Sequence, residues 1–145
     1  MPLKYNQDWA DATTAFRAAM AASKPALHDI STRRQTLDAM LAGITATSPQ
    51  IPSGMIVTVY PFKTYDNTLL CIHQFALKSD FNETPRPAIF YIHGGGMIHG
   101  KASDLYPFLV QHIQECSIQV LVVDFRIAPE NPHPGPIEDC FAGLE

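Results

Sequence analysis

Cysteine is scarce in this chain of 145 residues. Cys71, Cys116 and Cys140 are an odd number, and no two stand at CxxC spacing. That argues against a disulfide framework and a structural zinc site, and it points to a reducing compartment. Long apolar runs are missing as well. No stretch approaches the roughly 18 apolar residues that a membrane span needs. Basic charge is in deficit, with 10 Lys and Arg against 14 Asp and Glu, a formal net charge of −4 and a pI near 5.8. The chain therefore has no basic footprint for nucleic acid or an anionic membrane. In residues 1–23, Asp8 and Asp11 interrupt a run of alanines and no apolar core forms. We expect no secretory or mitochondrial leader there and read the localisation as cytoplasmic. Internal repeats and low-complexity tracts are also missing.

What is present suits one folded domain. Hydrophobic residues make up 46% and charged residues 17%, the balance of an ordinary globular protein rather than a disordered one. From Asn6 to Ser23, Trp9, Ala12, Phe16 and Met20 recur at helical steps, and Lys24-Pro25 should end that helix. A second helix is expected from about Thr32 to Ala42. Leu37, Met40, Leu41 and Ile44 form its stripe, Arg33, Arg34 and Asp38 its other face, Ser31 its N-cap and Gly43 its stop. Ser48 to Gly54 reads as a linker. Beyond it the period changes to strand. Met55–Phe62 and Leu69–Leu77, joined through a turn at Asp66-Asn67, predict an antiparallel hairpin. Ala88–Ile92 and Ile118–Val123 are continuous apolar runs, the habit of strands in a parallel sheet buried on both faces. Between them, Ser103–Glu115 carries Leu105, Leu109, His112 and Ile113 at helical spacing, which completes a strand–helix–strand unit. Pro136 suits the first turn of a last helix bearing Ile137, Cys140, Phe141 and Leu144.

The chemistry-bearing segment is His93-Gly94-Gly95-Gly96-Met97-Ile98-His99-Gly100, directly after the strand that ends at Ile92. Three adjacent glycines cost conformational entropy, so the position must want bare backbone. The C-terminal ends of parallel strands are where open α/β sheets place their sites. Backbone N–H groups in such a loop can stabilise an oxyanion, and losing one donor costs typically about 10²–10³ in rate. The competing readings are a glycine loop that only turns tightly, or one that cradles a phosphate. No GxxxxGK[ST] or GxGxxG is present to favour the phosphate.

His93-Gly94-Gly95-Gly96 followed by Gly100 resembles the HGGGxxxG oxyanion motif of hormone-sensitive-lipase-like esterases, the third family of the α/β-hydrolase fold. Asp124-Phe125-Arg126-Ile127-Ala128-Pro129-Glu130, followed by Pro132, Pro134 and Glu138-Asp139, resembles that family's next conserved block. The resemblance implies an α/β fold: the N-terminal half of a three-layer αβα sandwich with a mostly parallel sheet, preceded by two cap helices. Residues 1–50 would be the cap helices, and residues 51–145 the N-terminal half of the core, ending within a helix. It implies an oxyanion hole at Gly94, Gly95 and Gly96, with Gly95 and Gly96 supplying the N–H groups. His93 and Gly100 would support the loop, and Asp124, Arg126 and Glu130 would form a structural charge network beneath the site. Phe125 stands where the family usually has tyrosine. The implied activity is hydrolysis of carboxylic esters by a Ser-His-Asp mechanism on a small-molecule substrate. No metal or cofactor is implied, and the family leaves room for a homodimer.

None of the seven serines lies in GxSxG. Ser103 is the nearest imitation and reads as a helix N-cap. Cys140 reads as core. His28, His73, His99, His112 and His133 lack a carboxylate at a meaningful spacing. We therefore expect a chain that supplies the oxyanion loop of a longer enzyme and is inactive alone, the triad lying downstream of Glu145. Without a further strand beside it, Ile89–Ile92 should be an exposed apolar edge. The reading from another class is a non-catalytic hydrolase-fold protein that binds a small ligand.

Overall fold

A computed structural model describes residues 6–22, 29–47, 51–80 and 86–145. The helix end expected at Lys24-Pro25, His28, the 48–50 part of the linker and Pro85 lie outside the described residues. The chain divides into two compact units, residues 1–33 and 34–145.

In the first unit the single helix expected from Asn6 is two, α1 (Gln7–Ala12) and α2 (Thr14–Ala22). Asn6 caps α1, accepting from the Trp9 N–H at 3.3 Å. The break falls at Thr13 because two neighbouring hydroxyls bond backward. Thr13 Oγ1 donates to Trp9 O and Thr14 Oγ1 to Ala10 O, both at 2.7 Å, a competition with the backbone ladder that bends helices. Helix α3 (Ile30–Thr47) begins in the first unit, belongs from Arg34 onward to the second, and is longer than its stripe suggested. Asp29, not Ser31, caps it, accepting from the Thr32 N–H at 2.9 Å and the Thr32 hydroxyl at 2.7 Å. Gly43 does not stop it. A glycine inside a helix costs only about 1 kcal/mol, and half-buried Ile44 beyond it favours one more turn.

In the second unit, β1 (Met55–Lys63) and β2 (Leu69–Leu77) form the expected hairpin, in register from Met55 opposite Leu77 to Lys63 opposite Leu69. Its turn is closed by Thr64, whose hydroxyl bonds Asp66, and by Asn67 at φ 64°, a conformation that asparagine tolerates. Next come β3 (Ala88–Tyr91), α4 (Tyr106–Cys116), β4 (Gln119–Val123) and α5 (Gly135–Leu144). The sheet order is β1-β2-β4-β3. Among the described strands, parallel pairing is confined to β3 with β4, and β2 meets β4 antiparallel.

Alternation along β4 sets the layers. Val120 and Val122 face a cluster with Met55, Phe75 and the α4 residues Leu109, Val110 and Ile113. Val123 faces the other side, with Phe125 and Cys140. His112, expected on the packed stripe of α4, is exposed, and its ring bonds Phe108 O instead. Ser103 does not cap this helix. It lies within a 3₁₀ turn (Ala102–Leu105) that precedes α4 and follows Lys101. Helix α5 packs on a face its hydrophobic residues did not indicate. Pro136, Asp139 and Cys140 are buried, whereas Ile137, Phe141 and Leu144 are exposed. Asp139 is drawn in by Arg126, and Gly143 lets the helix approach Phe62 and Val123, where an added Cβ would sit 3.2 Å from each.

Candidate active site

The glycine loop leaves the sheet at the C-terminal end of β3 with a backbone only glycine holds easily. Gly95, Gly96 and Gly100 have φ of 131°, 61° and 106°. At Gly95 an added Cβ would fall 1.9 Å from the carbonyl oxygen of His99, so the close approach excludes any side chain. Gly94 is different, with open space where its Cβ would go. Among the described residues, the backbone N–H groups of Gly94, Gly95 and Gly96 donate to no protein acceptor. Unpaired N–H groups on a positively curved backbone form a concavity suited to an anion.

Several contacts hold the loop. His93 is buried and stacks on Phe125, with ring centroids 4.2 Å apart. Its Nδ1 donates to Gly94 O at 2.8 Å, which places the proton on that nitrogen and leaves Nε2, buried and without a partner, as the lone-pair side. Gly100 lies against this ring, where a Cβ would be 2.7 Å from Nδ1. Ile98 N–H closes a turn on Gly95 O at 3.2 Å, and Ala128 N–H donates to Met97 O at 2.8 Å. From α3, Arg34 donates to Ile98 O, and Asp38 accepts from His99 Nε2 at 2.8 Å.

Asp124, Arg126 and Glu130 do not form one network; each anchors a different segment. Asp124 accepts the Ala102 N–H at 2.6 Å, and its other oxygen lies 3.5 Å from His73 Nε2. Arg126 grips buried Asp139 through its backbone N–H, Nε and Nη2 at 2.7–3.0 Å, and reaches Asp66 at 2.7 Å. Asp139 and Asp66 raise the pKa of the guanidinium, and the Thr64 hydroxyl, followed by Arg126 and Thr68, holds the Asp66 carboxyl well below its ordinary range. Glu130 takes both Arg34 terminal nitrogens, which lowers its carboxyl to about 2.

The loop opens on a mainly apolar cavity of about 210 Å³, lined by Gly94 and Gly95 together with Leu37, Met40, Leu41 and Phe108. Another cavity, about 370 Å³, surrounds Arg126 and Asp66 away from the glycines; there Arg126 pairs with Asp66 and Asp139, and Glu130 pairs with Arg34. Burial pushes the Cys140 thiol up to about 11, the property of a packed cysteine rather than a nucleophile. His73 and His99 do have carboxylate neighbours, Asp124 and Asp38, supplied by the fold from 51 and 61 residues away. Arg34, Asp38 and Asp139 went unrecognised as site supports. The i, i+4 pairing of Arg34 and Asp38 on one helix face was the available signal. Among the described residues no group of three or more His, Cys, Asp or Glu could hold a metal ion, and no helix is long and apolar enough to cross a membrane.

Sheet, crossover helix and glycine loop together make part of an α/β hydrolase fold, and residues 89–145 match the sequence profile described as alpha/beta hydrolase fold. The chain is similar to esterase LipI of Mycobacterium tuberculosis, 36% identical over 61 residues that make up 42% of this chain and 19% of that protein. It is equally similar to hormone-sensitive lipase of Bos taurus, 36% identical over 56 residues, 39% of this chain and 7% of the lipase. Among solved structures, a bacterial heroin esterase superposes with a TM-score of 0.74 and 29% identity, covering 89% of this chain and 40% of its own. The chain therefore spans about two fifths of that solved esterase and a fifth or less of those two curated relatives.

Proposed function

We propose that this chain forms the oxyanion-binding part of a serine carboxylic ester hydrolase. In this reading residues 1–50 serve as cap, residues 51–145 as the first half of the catalytic core, and the nucleophile, acid and histidine come from further sequence. The observation that carries it is the set of unpaired N–H groups at Gly94, Gly95 and Gly96 beyond the C-terminal end of β3, with Gly94 and Gly95 lining an apolar cavity. When a serine attacks an ester carbonyl, negative charge grows on the carbonyl oxygen. Donors already aimed at that position stabilise the transition state without reorganising, by roughly 3 kcal/mol per donor. His93 and Gly100 keep the donors in place by stacking and close contact. Leu37, Met40, Leu41 and Phe108 suit an apolar acyl or alcohol group of modest size. Neither metal nor cofactor enters such a mechanism.

The test is hydrolysis of a short-chain p-nitrophenyl ester. The full-length protein that carries this segment should turn the ester over and lose activity to a phosphonate that traps serine. The 145-residue chain alone should show none above background. An inert full-length protein, or one untouched by the phosphonate, would contradict the reading.

A further inference from the structure

Glycine frees the backbone, yet donors to a transition state must be held still. Something outside the glycines must therefore immobilise the loop. The turn from Ile98 N–H to Gly95 O and the bond from Ala128 N–H to Met97 O are single contacts. Arg34 is the side chain that joins three segments at once. Its Nε donates to Ile98 O at 2.7 Å, and its Nη2 to Ala128 O at 2.7 Å and Glu130 Oε2 at 2.6 Å. Its Nη1 donates to Glu130 Oε1 at 2.8 Å. The guanidinium thus ties α3 to the glycine loop and to the segment after β4. One turn along α3, Asp38 holds the ring of His99, whose carbonyl oxygen is the surface against which Gly95 is pressed.

We infer that Arg34 is a positioning residue for the oxyanion loop, with Asp38 as a second, weaker contact from the same helix. The inference rests on the esterase reading above. A planar fork is essential to it, because two parallel bonds to Glu130 leave Nε aimed at a third acceptor. An ammonium group on a flexible stem cannot reproduce that geometry. Asp38 is the lesser contact, since its side chain stays largely in water. The position of α3 is thereby coupled to the geometry of the Gly95 and Gly96 donors, which touch the reacting oxygen only in the transition state. Loss of the fork therefore acts on kcat and leaves ground-state binding alone.

The experiment compares the full-length protein with its Arg34→Lys and Asp38→Asn variants. It measures hydrogen exchange of the amides at 94–100 and steady-state hydrolysis of p-nitrophenyl butyrate well below the melting temperature. Arg34→Lys should speed exchange of the Ile98 amide, hydrogen-bonded to Gly95 O, about tenfold while α4 and β4 stay protected. It should lower kcat about tenfold with KM within about twofold. Asp38→Asn should change both in the same direction by less. Unchanged loop exchange, or faster exchange with kcat intact, would overturn the inference. If Arg34→Lys does not fold, Glu130→Gln removes half the fork while leaving the bond to Ile98 O, and is judged by the same criteria. A wild-type protein inert toward the ester would defeat the esterase reading, and the exchange data would then decide the role of Arg34 alone.

Discussion

At the scale of the residue, the contacts that matter are those that hold bare backbone in a strained shape. Gly95 and Gly100 face His99 O and the His93 ring at distances no Cβ could occupy. His93, although ionisable, is a brace: its ring is sandwiched between Phe125 and Gly100, and its Nδ1 proton is committed to Gly94 O. Glu130 gives a pH-dependent reading of the loop's tie to α3. The Arg34 fork lowers its carboxyl from 4.5 to about 2. A carboxyl held below its unfolded value adds stability that is full above about pH 4.5 and is lost as pH falls through about 2. An NMR titration of the Glu130 side-chain carboxyl carbon should show its midpoint near 2 in the folded protein. A midpoint near the ordinary 4.5 would mean that the fork is not formed.

At the scale of the element, helix α5 is where pattern and packing part company. Ile137, Phe141 and Leu144 are the residues an amphipathic reading would bury, yet they face solvent. The helix is instead drawn in on Asp139 by the hydrogen bonds it accepts from Arg126. Removing one partner of a buried pair strands the other, so Asp139→Ala should destabilise the full-length protein by roughly 3 kcal/mol in urea unfolding. A loss under about 1 kcal/mol would mean that Asp66 alone satisfies Arg126. The strands were legible before the structure because period 2 and β-branched residues mark them locally: β2 has the expected bounds, and β3 and β4 shift by one residue. The glycine loop was legible because three glycines in a row after an apolar strand have few other uses. Arg34 was not, because its partners stand 64, 94 and 96 residues away and a charged residue on a helix usually faces water. The break at Thr13 and the cap at Asp29 turned on which of several hydroxyl and carboxyl groups wins a local bond.

At the scale of the whole molecule, the 34–145 unit carries an exposed apolar edge. Strand β3 ends the sheet, and Ile92 just beyond it is 54% exposed. Ile89 and Tyr91 are open as well, as are Phe141 and Leu144 on α5. Each large side chain left in water forgoes roughly 1.5–3 kcal/mol, and an open hydrophobic edge strand is a template for pairing. The 145-residue chain alone should therefore self-associate, sedimenting as species well above its 16.0 kDa mass. A monodisperse monomer with a cooperative melt would show that these surfaces are tolerated as they stand.

The central claim is that the glycine loop supplies the donors for an oxyanion, and two neighbouring glycines test it most directly. Gly95 has no room for a methyl group and Gly94 has ample room. In the full-length protein, kcat for a p-nitrophenyl ester should fall by about 10² or more in Gly95→Ala and stay within about threefold of wild type in Gly94→Ala, which keeps its backbone N–H. Equal activity in Gly95→Ala and wild type would contradict the account.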